Sequence, residues 1–172
     1  GTKVVWLRRG DIWHFGNATF TALHPGESED AFGGQSVDKN EESLVLFYQE
    51  DDLAGVFTGD IGATQEEEIL TWLQKTKTGA DVQKIDFYKA AHHGSRYSNS
   101  TGFLEALAPE IALVSCSRTN RYGHPSKEAV GHMQQAGSQV YYTMESGRLC
   151  VKKTDGQAVC RGYLEEKEQW WQ

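Results

Sequence analysis

The 172-residue sequence predicts a layered α/β or α+β fold. Short apolar runs of strand length alternate with longer segments of helical period, and glycine-containing turns separate them. Histidines and an aspartate recur at the ends of the runs, which is where layered sheets gather their sites. A hydrophobic fraction of 38% over this length is enough for one domain with a proper core.

In chain order, residues 4–7 (VVWL) and 12–15 (IWHF) are expected as short strands, with 18–23 as a third after a Gly16-Asn17 hairpin turn. His24-Pro25-Gly26 ends the third. Residues 27–42, rich in Gly, Ser, Asp and Glu, read as a loop. SLVLFY (43–48) and LAGVF (53–57) are apolar strands joined across Asp51-Asp52, a hairpin in the middle of a covered sheet. A helix over 64–75 is expected to open on Thr64, with Glu67 completing a capping box, and to close at Gly79. Ile69, Leu70, Trp72 and Leu73 give it an apolar face. A strand over 84–88 leads into His92-His93; as strand residues these two would face opposite sides. A helix over 101–107, a buried strand over 111–115, a polar loop over 117–125 and a helix over 126–136 capped by Ser126 follow. Residues 140–143, 148–153 and 158–163 are three further strands. The layered domain is assigned to 1–163, and a charged tail carrying Trp170 and Trp171 to 164–172.

Composition narrows the function classes. A mean hydropathy of −0.57 and the lack of any long apolar run predict no membrane span in this chain. A net charge of −7 argues against charge-driven DNA binding by the whole surface, though it leaves room for a local basic patch. Cys116, Cys150 and Cys160 are odd in number and lack Cys-x-x-Cys spacing, so they read as reduced packing residues.

The chemistry-bearing residues are His24, Asp60, His92, His93 and His124, each just after a predicted strand. A carboxylate and imidazoles converging at strand ends are what zinc or manganese requires, and an aspartate can bridge two metals. Gly94 lets the chain turn sharply beside the histidines, while Ser95 and Arg96 add a hydroxyl and a positive fork suited to phosphate. Plainer readings stand beside these. His24 before Pro25 is equally a turn residue, Asp60 a helix-entry carboxylate, and His124 a loop hydrogen-bonder. His14 and His132 look unremarkable, and Cys116 has no base spaced to activate it.

Four segments in fixed order make a more specific pattern: Asn40-Glu41-Glu42-Ser43-Leu44-Val45-Leu46, Phe57-Thr58-Gly59-Asp60-Ile61, His92-His93-Gly94-Ser95-Arg96-Tyr97-Ser98, and Asn120-Arg121-Tyr122-Gly123-His124-Pro125. Together they resemble the C-terminal portion of the metallo-β-lactamase-like domain of ComEC-type DNA-internalisation competence proteins, from about His24 to Lys152. The resemblance implies an αββα sandwich, mainly its C-terminal half, that binds two divalent metals, zinc or manganese, at one edge. It implies His24, Asp60 and His92 as metal ligands, with Asp60 bridging, and Asp60, His93 and Ser95 as the catalytic set. Arg96 and His124 then line the substrate side.

The family's main motif, His-x-His-x-Asp-His, is absent from the sequence, so the resemblance is to part of a domain. The expectation is a phosphodiesterase or nuclease linked to DNA uptake, with this chain inactive alone and holding partial metal or none. Its implied partners are DNA or another phosphodiester, the missing N-terminal half of the domain, and a second copy of the chain. The parent is expected to be a bacterial membrane protein, with this domain soluble. A phosphorylcholine-esterase type of phosphoesterase and a non-catalytic scaffold are the alternatives.

Overall fold

Among the described residues, seven strands form one mixed sheet in the order of the chain. The computed structural model describes residues 1–26, 39–76, 82 and 84–164. β1 (Ile12–Phe15), β2 (Ala18–His24), β3 (Val45–Glu50) and β4 (Leu53–Phe57) make an antiparallel meander. β5 (Phe87–Lys89), β6 (Ile111–Val114) and β7 (Gln139–Tyr142) then continue in parallel from β4. Each parallel step needs a crossover. These are α1 (Ala63–Leu73), α2 (Thr101–Leu107) and α3 (Lys127–Gln135). A single turn, α4 (Thr143–Ser146), leads to the hairpin of β8 (Leu149–Thr154) and β9 (Gln157–Gly162), which forms a separate two-stranded sheet.

The period-2 alternation of the strands decides the layers. Val45, Phe47, Val56, Tyr88, Ala112 and Val114 face the helices and make the main core with Ile69 of α1, Phe103 and Leu107 of α2, and Met133 of α3. Their neighbours Phe87, Ile111 and Leu113 face the other way and pack with Cys160, Leu149 and Val151 of the β8–β9 hairpin. Gly55 is obligatory here, because a Cβ on it would sit 2.2 Å from the Phe87 ring. The hairpin is pinned by Lys153, whose ammonium lies 2.8 Å from the buried Asp86 carboxylate and donates to Asp52 O at 2.7 Å.

Beyond the hairpin the same face carries an aromatic ladder. Trp13 meets Phe20 (5.7 Å between ring centroids), Phe20 meets Tyr48 (5.3 Å), and Tyr48 meets Phe57 (6.3 Å). Trp13 and Phe15 at its far end are 53% and 71% exposed. Of the expected sandwich, the described residues supply one helix layer, one sheet and a two-stranded hairpin over its second face.

Most predicted elements are present within a residue or two, and three expectations need correction. Residues 4–7 lie outside the sheet, with Val4, Val5 and Trp6 exposed, and no strand among the described residues pairs with them. Helix α1 opens on Gly62, whose N–H donates to Gln65 Oε1 at 3.2 Å, and not on Thr64 with Glu67. His92 and His93 are not strand residues, since β5 stops at Lys89. Gly79, most of the 27–42 loop and nearly all of the 164–172 tail, with Trp170 and Trp171, lie outside the described residues. The three cysteines are unbridged, and no described helix is long and apolar enough to cross a membrane.

Candidate active site at one edge of the sheet

β2 and β4 are both antiparallel to β3, so they run the same way, and β5 and β6 run parallel to β4. The C-terminal ends of these four strands therefore share one edge. That edge carries His24 from β2, Asp60 after β4, His92 and His93 after β5, and the 115–124 loop after β6. Hydrogen bonds knit the ends together. Thr58 Oγ1 donates to Lys89 O at 2.6 Å, and His92 N–H donates to Gly59 O at 3.1 Å. Ser43 serves two neighbours: its hydroxyl accepts from Asp60 N–H at 3.2 Å, and its carbonyl takes His24 Nδ1 at 3.0 Å.

The histidine turn is strained. His92, His93 and Gly94 all stand in the left-handed region, at φ of 46°, 56° and 83°. Each non-glycine residue there costs about 1–2 kcal/mol. The buried Asn99 holds the turn from both sides. Its Oδ1 accepts from Ala91 N–H (2.9 Å) and from Tyr88 Oη (3.0 Å), and its Nδ2 donates to Ala91 O (3.1 Å) and Ser95 O (3.2 Å). Asn99 is fixed in turn by Glu66 of α1, whose carboxylate accepts the N–H groups of Asn99 and Ser100. Gly94 is in contact with Pro125, where a Cβ would meet the proline Cβ at 2.6 Å, so the histidine turn and the His124 loop are packed directly on one another.

The site proper follows from this frame. His93 Nδ1 is 2.7 Å from Ser115 O, so Nδ1 carries the proton and donates, which leaves the Nε2 lone pair outward. Nε2 lies 3.6 Å from Asp60 Oδ1. That is too long for a hydrogen bond. It is close to the separation of two ligands ~2.1 Å from one tetrahedral zinc, about 3.4 Å. The His24 Nδ1 bond to a carbonyl orients that ring in the same way. This donor chemistry fits part of a metal shell. Among the described residues, no three His, Cys, Asp or Glu side chains are gathered closely enough to hold an ion by themselves.

The His92 ring is 6.5 Å from that of His93 and 5.6 Å from that of His124. Burial, with His92 and His93 nearby, holds the His124 pKa below its ordinary value. Burial likewise lowers His24. Burial also lowers Lys89, partly offset by Asp60 and Cys116. Burial raises the Cys116 thiol, in keeping with its packing against the core.

The structure thus brings Asp60, His92, His93 and His124 together. His24, 5% exposed, is linked to Asp60 through Ser43. Ser95 is buried, and its Oγ accepts from Tyr97 N–H at 3.2 Å within its own loop. Arg96 is exposed. Sequence reasoning missed Asn99, Glu66, Ser43 and Lys89. It also passed over His132, whose Nδ1 lies 2.9 Å from Asn99 O.

No family model matches the chain. Over most of its length it is a distant homologue of competence proteins. It is 29% identical over 149 residues to "ComE operon protein 3" of Bacillus subtilis, covering 87% of this chain and 18% of that protein. It is 29% identical over 137 residues to "Competence protein ComA" of Neisseria gonorrhoeae, covering 80% and 18%. With "Recombination protein 2" of Haemophilus influenzae the identity is 26% over 142 residues, covering 83% and 16%. The chain therefore spans less than a fifth of the length of these relatives. A crystal structure of a "Putative metal-dependent hydrolase" from Parabacteroides distasonis aligns with a TM-score of 0.46 and 14% identity, over 80% of this chain and 56% of that one.

Proposed function

We propose that this chain is part of a metal-dependent hydrolase that cleaves phosphodiesters, with DNA as the substrate class by way of its competence relatives. The observation that carries this reading is the Asp60–His93 pair: 3.6 Å apart, oriented by Ser115 O, at the edge where four strands end. Zinc or manganese, when bound, supplies Lewis acidity and an activated water near neutral pH. The chain's own residues do the rest. Asp60 offers carboxylate oxygens, and His93 and His92 offer imidazole nitrogens. His124 stands 5.6 Å from His92, its neutral form favoured by burial. Arg96 faces solvent just after the histidine turn, and its guanidinium is a fork suited to a phosphate.

The remaining donors come, on this reading, from another segment of the longer protein, which also covers the aromatic ladder. A second copy of the chain is the other occupant of that face, and light scattering separates the two. The membrane attachment of the parent belongs to the same proposal.

The test is turnover of single-stranded DNA with added Mn²⁺ or Zn²⁺, on the 172-residue chain and on the longer parent. The parent should turn over, the chain alone should not, and Asp60→Ala in the parent should reduce turnover more than about 100-fold, since even outer-shell losses cost 10–100-fold. Full turnover by Asp60→Ala would overturn the reading. Preference for small phosphodiesters over DNA would move the substrate class to the phosphorylcholine-esterase type.

A further inference from the structure

Two loops bracket the Asp60–His93 pair, and each presents the same dipeptide to solvent. Arg96-Tyr97 follows the histidine turn, and Arg121-Tyr122 precedes His124. Both arginines are exposed, and the tyrosines are 76% and 82% exposed. Both rings therefore leave aromatic surface open beside the site, where a flat ligand can stack.

Neither ring is on a loose strap. Tyr97 O accepts from Ala63 N–H at 3.0 Å, which holds its loop against the turn that carries Asp60. Tyr122 is stacked on His124 at 5.8 Å and 17°. Its loop is closed by Asn120, which donates to Ser117 O and His124 O at 2.6 Å each and accepts from His124 N–H at 2.9 Å. Between Tyr122 and His93 lies an open cavity of about 400 Å³, lined by Ser115, Cys116, Asn120 and Thr143.

Resting on the phosphodiesterase reading, the geometry points to a single-stranded nucleic acid held across this edge, with bases stacked on Tyr97 and Tyr122 and phosphates met by Arg96 and Arg121. Stacking on an aromatic face tolerates any base, and the two arginines supply the backbone attraction. On a chain of net charge −7 that attraction has to be local. A phosphodiester without bases has no use for either ring. The Tyr122–His124 stack extends the platform towards the reacting centre, where His124 is 5.6 Å from His92.

The experiment is fluorescence anisotropy on the 172-residue chain in chelator, with a labelled ten-residue oligothymidylate and an abasic strand of equal length and charge. No turnover is read, so a failure here is distinct from a failure of the hydrolase reading. The thymidylate should bind at least about tenfold tighter than the abasic strand. Tyr122→Ala and Tyr97→Ala should each lose about tenfold on thymidylate and nothing on the abasic strand, while Tyr122→Phe and Tyr97→Phe bind normally. Arg96→Met and Arg121→Met should weaken both strands alike. Equal affinity for the two strands, binding of neither, or wild-type affinity in both alanine variants would overturn the proposal.

Discussion

The Glu66 carboxylate accepts the backbone N–H of Asn99 at 2.5 Å, although the two residues lie 33 positions apart. This contact joins the first crossover helix to the residue that holds the histidine turn. Glu66 is fully buried, and burial pushes its pKa above the ordinary carboxylate range while the N–H groups of Ser100 and Asn99 pull it back.

Glu66→Gln should therefore destabilise the fold by about 2 kcal/mol, because an amide nitrogen replaces one acceptor and leaves an N–H of Asn99 or Ser100 unpaired in the interior. Urea unfolding measures it, and an unchanged midpoint would show that the paired acceptance is dispensable.

Gly94→Ala should damage the site more than the fold. The new Cβ meets Pro125 at 2.6 Å in a left-handed residue, so either the histidine turn or the 124–125 loop must move. Stability should fall by about 2–3 kcal/mol. The side-chain nitrogen signals of His93 should lose the Nδ1–H tautomer fixed by Ser115 O. Retention of that signature by a folded Gly94→Ala variant would contradict the coupling of the two loops.

The His24 imidazole, lowered by burial, sets a pH dependence. The folded state resists protonation there more than the unfolded chain does. Its share of stability is present above the ordinary imidazole pKa of about 6.5 and is lost as pH falls below it. Thermal unfolding between pH 7.5 and 5.5 should show a decline that His24→Gln flattens. A slope identical in the variant would remove His24 as its source.

Lys153→Met should loosen the β8–β9 hairpin. Lys153 is raised above its ordinary value, chiefly by its bond to Asp86, so the pair's contribution persists up to the ordinary lysine pKa and is lost as pH rises through the higher folded value. With Asp86 buried and Lys153 partly exposed, the loss should be about 2 kcal/mol, between the exposed and buried cases. Faster amide exchange confined to β8 and β9 is the expected sign, and an unaltered exchange pattern would count against the anchor.

The strands and crossover helices were legible because their signals are local. LAGVF, Ser126 as a cap, and the apolar face of α1 each state their role within a few residues. The edge that gathers His24, Asp60 and the His92-His93 pair was legible too, since the strand-end rule needs only the order of the elements. What holds those residues was not. Glu66 reads alone as a first-turn acid and Asn99 as a helix lead-in, and only the folded chain brings them together. The left-handed backbone of His92 and His93 has no single-residue signature either, since neither is glycine. The cap on Gly62 was missed because Thr64 looks the better cap, while Gln65 reaches back to a residue with no side chain.

Ser43 gives the edge one further property. By holding His24 with its carbonyl and the Asp60 amide with its hydroxyl, it makes the two a single mechanical unit. A splice, graft or inserted residue at the entrance to β3 would therefore shift both side chains in concert, and any redesign of the preceding loop has to preserve the register of that one serine.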